Sequence, residues 1–235
     1  MQYAIIAAGE GSRLAQEGVI APKPLVEVGG EVLIDRLLRI FLASGATSVS
    51  IICRPDAQVE KHLEQWKRAG APVEYIVKVT PSSMHSMYEL APLLKKDGPF
   101  VLTTVDTVFR EQEFQAYIAA MERTVNEGIA DGLMGVTDYI DDERPLYVST
   151  DDEQYIRAFL DSDNNPHYIS AGIYGLTLRS LDTLRACVER GESRMRNFQR
   201  ALLTDGLRLK AWPFSKVLDI DHASDIAKAQ ALLRE

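Results

Sequence analysis

Residues 5–14, with the sequence IIAAGEGSRL, and residues 22–25, with the sequence PKPL, decide how the first part of this chain folds. The apolar run at residues 3–8 predicts a buried strand that ends in a loop containing Gly9 and Gly11. Because these two positions carry no side chain, the backbone can wrap closely around a phosphate and direct successive N–H groups at it. The stretch therefore predicts a strand followed by a phosphate-binding loop.

Two positive charges flank this glycine loop. Arg13 follows the second glycine, and Lys23 lies between two prolines. The loop is not a P-loop, which requires Gly-x-x-x-x-Gly-Lys-Ser/Thr, and it is not the dinucleotide pattern Gly-x-Gly-x-x-Gly, because Leu14 stands where the third glycine is needed. Glycines and cations together still predict a site for a nucleoside triphosphate, with a tight connection after the first strand as the alternative.

Composition limits the class of protein and the kind of partner. The chain has 235 residues, of which 46% are hydrophobic and 26% charged, as expected for one large α/β domain with a sizeable core. Its net charge of −8 and isoelectric point near 5.1 argue against nucleic acid or an anionic membrane as the partner. A small phosphorylated substrate is compatible with this charge, because a local cationic loop can coexist with an acidic surface.

Cysteine content and the chain start predict a cytoplasmic protein. Cys53 and Cys187 are the only cysteines and have no metal-ligand spacing, so we expect two unpaired thiols. The sequence starts almost directly in a core strand, without the features of a signal peptide, and contains no apolar run long enough to span a bilayer. The oligomeric state cannot be read from the sequence.

Strands and helices alternate through the first half of the chain, which predicts a mostly parallel sheet covered by helices on both faces. The predicted strands are residues 3–8, 48–53, 73–77, 100–105, 132–137, 147–150, 155–160, 169–178 and 207–212. The predicted helices are residues 33–41, 56–70, 84–95, 111–126, 181–190, 196–204 and 223–233. We expect a single domain over residues 1–235, with a nucleotide-binding half at about 1–135 and an acceptor-binding half at about 136–235.

The order Gly-x-Gly-x-Arg-Leu followed by Pro-Lys-Pro-Leu resembles the signature of the sugar-1-phosphate nucleotidyltransferases, the enzymes that make nucleotide sugars. This resemblance implies a Rossmann-like nucleotidyltransferase fold of GT-A-like type, a three-layer α/β sandwich with a mostly parallel mixed sheet. It also implies a reaction in which a nucleoside triphosphate and a sugar 1-phosphate give a nucleoside diphosphate sugar and pyrophosphate.

The resemblance implies where the nucleotide binds. Arg13 would stabilise the leaving pyrophosphate, and Lys23 would stabilise the α-phosphate and its developing charge, so both are the candidate catalytic residues. The polar loop at residues 80–87 would recognise the base and its ribose, although a serine that caps the following helix explains it equally well. His85 is interpreted as a polar loop residue rather than a general base. The candidate nucleotide-binding residues are Ala7, Ala8, Gly9, Gly11, Ser12, Arg13, Lys23, Ser82, Ser83 and Ser86.

Three aspartates are candidate ligands for Mg²⁺, with Mn²⁺ as the alternative. Asp106 directly follows an apolar strand, so its carboxylate should emerge at the carboxyl edge of the sheet, where ligands of such sheets gather. Asp219 and Asp221 lie on the same side of an extended segment, and a cation would relieve their repulsion. The resemblance does not decide between these two as the second ligand. The competing interpretations are that Asp106 caps a turn through Thr107 and that Asp221 caps the last helix.

The resemblance also implies an acceptor-binding strand, and here the chain departs from the family pattern. The candidate contacts are Ser170, Ala171 and Gly172, in a segment similar to the family's Ser-Ala-Gly-Ile-Tyr strand. The Glu-Lys-Pro whose lysine contacts the sugar phosphate is absent, and residues 160–162 read Leu-Asp-Ser instead. Lys216 is the candidate replacement.

Two other functions compete with a sugar-phosphate nucleotidyltransferase. The missing lysine is compatible with a non-sugar acceptor such as phosphocholine, which would make the chain a cytidylyltransferase. A nucleotide-sensing homologue without turnover is the second competitor, although binding alone needs fewer charged residues than this chain retains. In each case the predicted partners are a nucleoside triphosphate and a phosphorylated small molecule.

Overall fold

The computed structural model describes residues 1–94, 98–141, 144–162 and 167–234. The strands within these residues are β1 (Gln2–Ala7), β2 (Glu27–Val28), β3 (Glu31–Val32), β4 (Ser48–Cys53), β5 (Val73–Val77), β6 (Phe100–Thr104), β7 (Thr107–Phe109), β8 (Gly132–Thr137), β9 (Tyr147–Thr150), β10 (Ile156–Leu160), β11 (Tyr168–Leu176), β12 (Leu209–Phe214) and β13 (Val217–Asp219). The α-helices are α1 (Ser12–Gln16), α2 (Leu33–Ala43), α3 (Ala57–Arg68), α4 (Ser83–Leu90), α5 (Glu111–Asn126), α6 (Ser180–Glu189), α7 (Met195–Thr204) and α8 (Ala223–Leu232).

A central mixed sheet of nine strands takes strands from both halves of the chain. Its order is β10-β9-β11-β6-β1-β4-β5, and β8 pairs with both β11 and β12. Strands β5, β4, β1 and β6 run parallel, whereas β11 is antiparallel to β6 and β8. Because β1, β4 and β6 are parallel neighbours, the loops that follow them lie side by side at one edge of the sheet.

Alternation of side chains along β1 explains why helices cover both faces of the sheet. Tyr3 and Ile5 belong to one buried apolar cluster, and Ala4 and Ile6 belong to a second one on the other face. In the first cluster the ring of Tyr3 stacks on Phe41 of α2 with ring centroids 4.4 Å apart. The result is a three-layer α/β sandwich, which confirms the predicted fold class.

Most predicted elements are present, and the differences have local causes. The helix predicted at 84–95 is α4 followed by a short 3-10 turn at Ala91–Leu93, because Pro92 cannot continue an α-helix; Lys95 lies outside the described residues. The strand predicted at 207–212 is shifted to Leu209–Phe214 and contains Pro213. Proline is tolerated there because Pro213 lies beyond Lys210 and Ala211, which contact residues 154–155, and within the described residues pairs only with Val136 of β8. The short helix α1 and the short strands β2, β3 and β7 were not predicted.

Candidate active site

The predicted cation and the predicted acids meet at the carboxyl edge of the sheet. The Lys23 Nζ lies 2.5 Å from Asp106 Oδ2 and 2.7 Å from Asp221 Oδ1, although these residues are far apart in sequence. The Lys23 side chain is only 10% exposed. Burial alone would lower the pKa of Lys23, but the two carboxylates outweigh it and raise this pKa above its usual range. Lys23 is therefore a fixed, charged ammonium at the strand edge.

Gly11 positions Lys23, and Gly9 leaves room in front of the loop. Gly11 precedes α1 with φ of 63°, a left-handed conformation that glycine adopts at little cost. A Cβ on Gly11 would lie 3.3 Å from the Cβ of Lys23, whereas a Cβ on Gly9 would meet nothing within 4 Å. The first glycine faces open space and the second one packs against the lysine segment.

Asp219 reaches the same edge because β13 pairs with β7 directly after Asp106. In this antiparallel pair Asp219 is opposite Thr107, whose hydroxyl donates to Asp219 Oδ1 over 3.2 Å. Enclosure by the cleft walls and the nearby charges of Asp106 and Asp221 raise the pKa of Asp219 to about 8. Asp219 is nevertheless exposed to solvent. A bound cation would relieve the electrostatic repulsion between Asp219 and the carboxylates of Asp106 and Asp221.

Asp221 does not cap the last helix. The cap of α8 is His222, and the Asp225 carboxylate accepts from the backbone N–H groups of Asp221 and His222 at 3.2 and 2.8 Å. The Asp221 carboxylate instead pairs with Lys23 and with Arg13 Nη1, the latter at 3.4 Å. Partial burial opposes its ionisation, but these two cations lower the pKa of Asp221. The capping interpretation of Asp221 was therefore wrong.

The donor set at this edge fits a hard divalent cation. Asp106 and Asp219 offer carboxylate oxygens, which suit Mg²⁺, and Mg²⁺ takes one or two carboxylates plus oxygens from substrate phosphates. Among the residues that the structure describes, no three His, Cys, Asp or Glu side chains surround one point as a preformed metal site. A site in which two protein carboxylates and oxygens of the substrate together coordinate the cation is consistent with that finding.

A cavity of about 350 Å³ lies in front of the glycine loop. Predicted nucleotide-binding residues line it together with Arg54, which directly follows β4 and was not predicted. Arg54 could have been found by the rule that led to Asp106, since both follow a buried strand at the same edge. The lining includes Ala8, Gly9, Lys23, Arg54, Ser82, Ser83, Ser86 and Asp106.

The serines of the loop before α4 have structural roles as well. The Ser82 hydroxyl caps α4 by accepting from the His85 N–H at 3.4 Å, so the capping interpretation is confirmed. Ser86 is 2% exposed, and its hydroxyl is 2.5 Å from that of Thr80. The His85 ring contacts the Ser82 hydroxyl at 2.9 Å, consistent with a polar loop residue.

A second part of the cleft lies beyond Asp219, along β11. Gly172 has φ of 70° at an irregularity in the pairing of β11 with β8, which bends the strand at the predicted acceptor segment. The Ser170 hydroxyl donates to Gln199 Oε1 of α7 over 3.0 Å. Ser170 and Asp219 both line a cavity of about 330 Å³ that also includes Gly172, whereas Ala171 lines a neighbouring cavity of about 250 Å³.

Lys216 does not join this group. Its ammonium lies 4.3 Å from the centre of the Tyr139 ring, and Lys216 is absent from the residues that line these two cavities. Lys228 lines the cavity that contains Ala171, but it is paired with Asp141 at 2.7 Å. The basic side chains that line the cavity with Gly172 are Arg144, before β9, and Arg194 and Arg196, at the start of α7.

Fold and site together define an α/β protein whose glycine loop, buried lysine and carboxylates meet at one edge of the sheet. A family model described as the MobA-like NTP transferase domain matches residues 3–202, and the chain belongs to that family. This match confirms the resemblance predicted from the glycine loop. In the described part of the chain, no helix is both long enough and apolar enough to cross a bilayer.

The similar proteins are named for different substrates. The CMP-5'-(3-aminopropyl)phosphonate synthase of Streptomyces rubellomurinus is 28% identical over 156 residues, covering 60% of this chain and 24% of that protein. A mannose-1-phosphate guanyltransferase of Gibberella zeae is 29% identical over 133 residues, covering 54% of this chain and 36% of that protein. The chain thus matches only these fractions of its curated relatives. The inositol-1-phosphate CTP transferase from T. maritima shares the fold, with a TM-score of 0.81 and 15% identity over 100% of this chain and 96% of that one.

Proposed function

We propose that this protein is a Mg²⁺-dependent nucleotidyltransferase that joins a nucleoside triphosphate to a sugar 1-phosphate and releases pyrophosphate. The observation that carries the proposal is the meeting of Lys23 with Asp106 and Asp221 beside the glycine-loop cavity. A structural loop does not need a buried ammonium held by two acids at the edge where ligands of such sheets bind.

Each charged residue has a role in an in-line displacement at the α-phosphorus. Lys23 neutralises the charge that develops on the α-phosphate, and Arg13, which is half exposed beside Asp221, meets the leaving pyrophosphate. Asp106 and Asp219 would hold the cation, which when bound draws both substrates together and offsets their charge. Backbone N–H groups around Gly9 approach the phosphates closely. No general base is required, since the attacking phosphate oxygen is already anionic.

The carboxylates also regulate where Lys23 points. Asp106 and Asp221 hold the Lys23 ammonium through short contacts. A cation on the carboxylates would weaken these contacts and leave Lys23 available for the triphosphate.

A non-sugar acceptor is the second candidate. One relative is named for a CMP-linked phosphonate rather than a sugar, and the lysine expected to contact a sugar phosphate is replaced by Asp161. In that case the chain is a cytidylyltransferase that acts on a phosphate or phosphonate such as phosphocholine.

A panel of substrates tests both candidates. Pyrophosphate release is measured with each common nucleoside triphosphate against sugar 1-phosphates, phosphocholine and an aminoalkylphosphonate, with Mg²⁺ and with chelator. We expect one preferred pair, whose product has the mass of the two joined substrates less pyrophosphoric acid. Triphosphate binding without pyrophosphate release from any pair would identify a nucleotide sensor and refute the proposal.

A further inference from the structure

Three arginines separate the acceptor side of the cleft from an outer cavity. Arg144, Arg194 and Arg196 line both spaces, and we call them the arginine wall. The inner cavity is the one that contains Asp219 and Ser170. The outer cavity has Tyr147, Asp161, Asn197 and Arg200 as further lining and contains none of the residues around Lys23.

The arginine wall is an excess of positive charge on an acidic protein. Asp161 pairs with Arg196 at 2.5 Å and with Arg200 at 2.9 Å, and these two guanidinium groups hold the pKa of Asp161 below its usual range. Asp161 follows β10, and its two partners place positive charge on the facing helix α7. Arg194, at the start of α7, has no ion pair or hydrogen bond to its side chain in the described residues.

In the described part of the chain, more arginines than acids line the outer cavity. Among the residues that the structure describes, the outer cavity has one acid in its lining, Asp161, and Arg194, Arg196 and Arg200 face it. The whole chain has a net charge of −8, so a cationic rim on one cavity is not a consequence of overall composition. Guanidinium groups match carboxylates and phosphates through paired hydrogen bonds, which makes this wall a recognition surface for an anion.

We propose that the arginine wall binds a second anionic group of the acceptor, a carboxylate or a phosphate, distinct from the phosphate that attacks. The inference rests on the proposed function for the position of the attacking phosphate, which must lie near Lys23 and Asp219. The inner cavity then extends from Asp219 to the wall, so the far end of the acceptor meets arginine. The preferred acceptor therefore carries negative charge at both ends, and a quaternary ammonium at the far end is disfavoured.

Acceptors that differ only at the far end test this proposal. The set is glucose 1-phosphate, glucuronic acid 1-phosphate and glucose 1,6-bisphosphate, with phosphocholine as the cationic comparison. Wild type should give a higher kcat/KM for the two doubly anionic acceptors, and the ratio between them shows whether a carboxylate or a phosphate is preferred. Equal or lower values than for glucose 1-phosphate would overturn the proposal.

Arg194→Gln tests the wall itself, because it removes one charge while keeping a long polar side chain. We expect about a tenfold to hundredfold rise in the KM of the doubly anionic acceptors, little change in kcat, and little change for glucose 1-phosphate. The matched control is Arg179→Gln, a 58% exposed arginine paired with Asp131 outside these cavities. An equal rise in KM for every acceptor would show that Arg194 holds the attacking phosphate. An unchanged KM for every acceptor would show that the arginine wall does not bind the acceptor. Either result contradicts the proposal.

Calorimetry separates this inference from the proposed function. If wild type releases no pyrophosphate with any pair, the transferase proposal fails, yet binding of glucuronic acid 1-phosphate can still be compared with that of glucose 1-phosphate. Tighter binding of the uronate that is lost in Arg194→Gln and kept in Arg179→Gln supports the arginine wall. Equal binding of the two sugars by wild type refutes it.

Discussion

Lys23→Gln is the substitution that most directly perturbs the charge balance of the site. Lys23 is 10% exposed, and its partners Asp106 and Asp221 are 16% and 47% exposed. Removing the ammonium leaves these two carboxylates and Asp219 facing one another without a central cation. The glutamine amide can still donate a hydrogen bond to one of them, so the loss is smaller than for alanine.

The expected decrease in the free energy of unfolding lies between the values known for exposed and for buried ion pairs. Breaking a buried pair costs about 3–5 kcal/mol and an exposed pair contributes about 0.2–1 kcal/mol. Because Lys23 and Asp106 are mostly buried while Asp221 is half exposed, we expect about 2 kcal/mol less stability in chelator. For a protein of this size that corresponds to a Tm lower by about 4–8 °C.

Mg²⁺ should restore part of the stability that Lys23→Gln loses. A ligand at about a hundredfold above its Kd stabilises the native state by about 2.7 kcal/mol. The unbalanced carboxylates of Lys23→Gln should bind the cation more tightly than wild type, so the variant should show the larger Mg²⁺-dependent rise in Tm. Its pyrophosphate release should still fall by about a hundredfold, because Mg²⁺ cannot replace the lysine contact in the transition state.

Thermal unfolding in chelator and across a Mg²⁺ titration measures these effects, with Lys61→Gln as the control for loss of an exposed lysine charge on α3. The account is refuted if Lys23→Gln is as stable as Lys61→Gln in chelator, or if Mg²⁺ raises the Tm of wild type and variant equally.

The remaining predictions concern the metal ligand and the glycine loop. Asp106→Asn should abolish pyrophosphate release. Its Tm should change little, because relief of the repulsion with Asp219 offsets the loss of one contact with Lys23. An active variant with unaltered Mg²⁺ dependence would exclude Asp106 as a metal ligand. Gly11→Ala should cost about 1–2 kcal/mol in chemical denaturation because of its left-handed backbone and its contact with Lys23. Gly9→Ala should leave stability within about 0.5 kcal/mol while weakening triphosphate binding in calorimetry, since its Cβ would occupy open space in the cavity; equal effects of the two alanines on stability would contradict these roles.

The residues at the carboxyl edge of the sheet could be predicted from the sequence, because their placement depends on a short apolar run followed by a polar or glycine residue. An uninterrupted apolar strand before Gly9 and another before Asp106 fix which residues emerge at the carboxyl edge of a parallel sheet. The same rule would have found Arg54. The short helix α1 could not be predicted, since five residues give too little periodicity to distinguish a helix from a turn.

The basic residues on the acceptor side of the cleft could not be predicted, because their positions depend on tertiary packing that no local sequence pattern reveals. Lys216 precedes the acidic pair in the sequence, but its ammonium packs on the ring of Tyr139. The arginines of α7 could be assigned to the cleft only once the helix was seen to face β10 through Asp161. Similarly, Asp225 rather than Asp221 stabilises the start of α8, a choice between two acids four residues apart that depends on backbone geometry.

The central claim is that an oxygen of the acceptor phosphate forms the new bond to the α-phosphorus of the triphosphate while pyrophosphate leaves, and the fate of labelled oxygen tests it. The preferred acceptor is prepared with ¹⁸O in its phosphate and incubated with the preferred triphosphate and Mg²⁺, and both products are analysed by mass. The account predicts that all of the label is in the nucleotide-containing product, with one unlabelled pyrophosphate released for each product molecule formed. Label in the released phosphate, or release of orthophosphate in place of pyrophosphate, would contradict it.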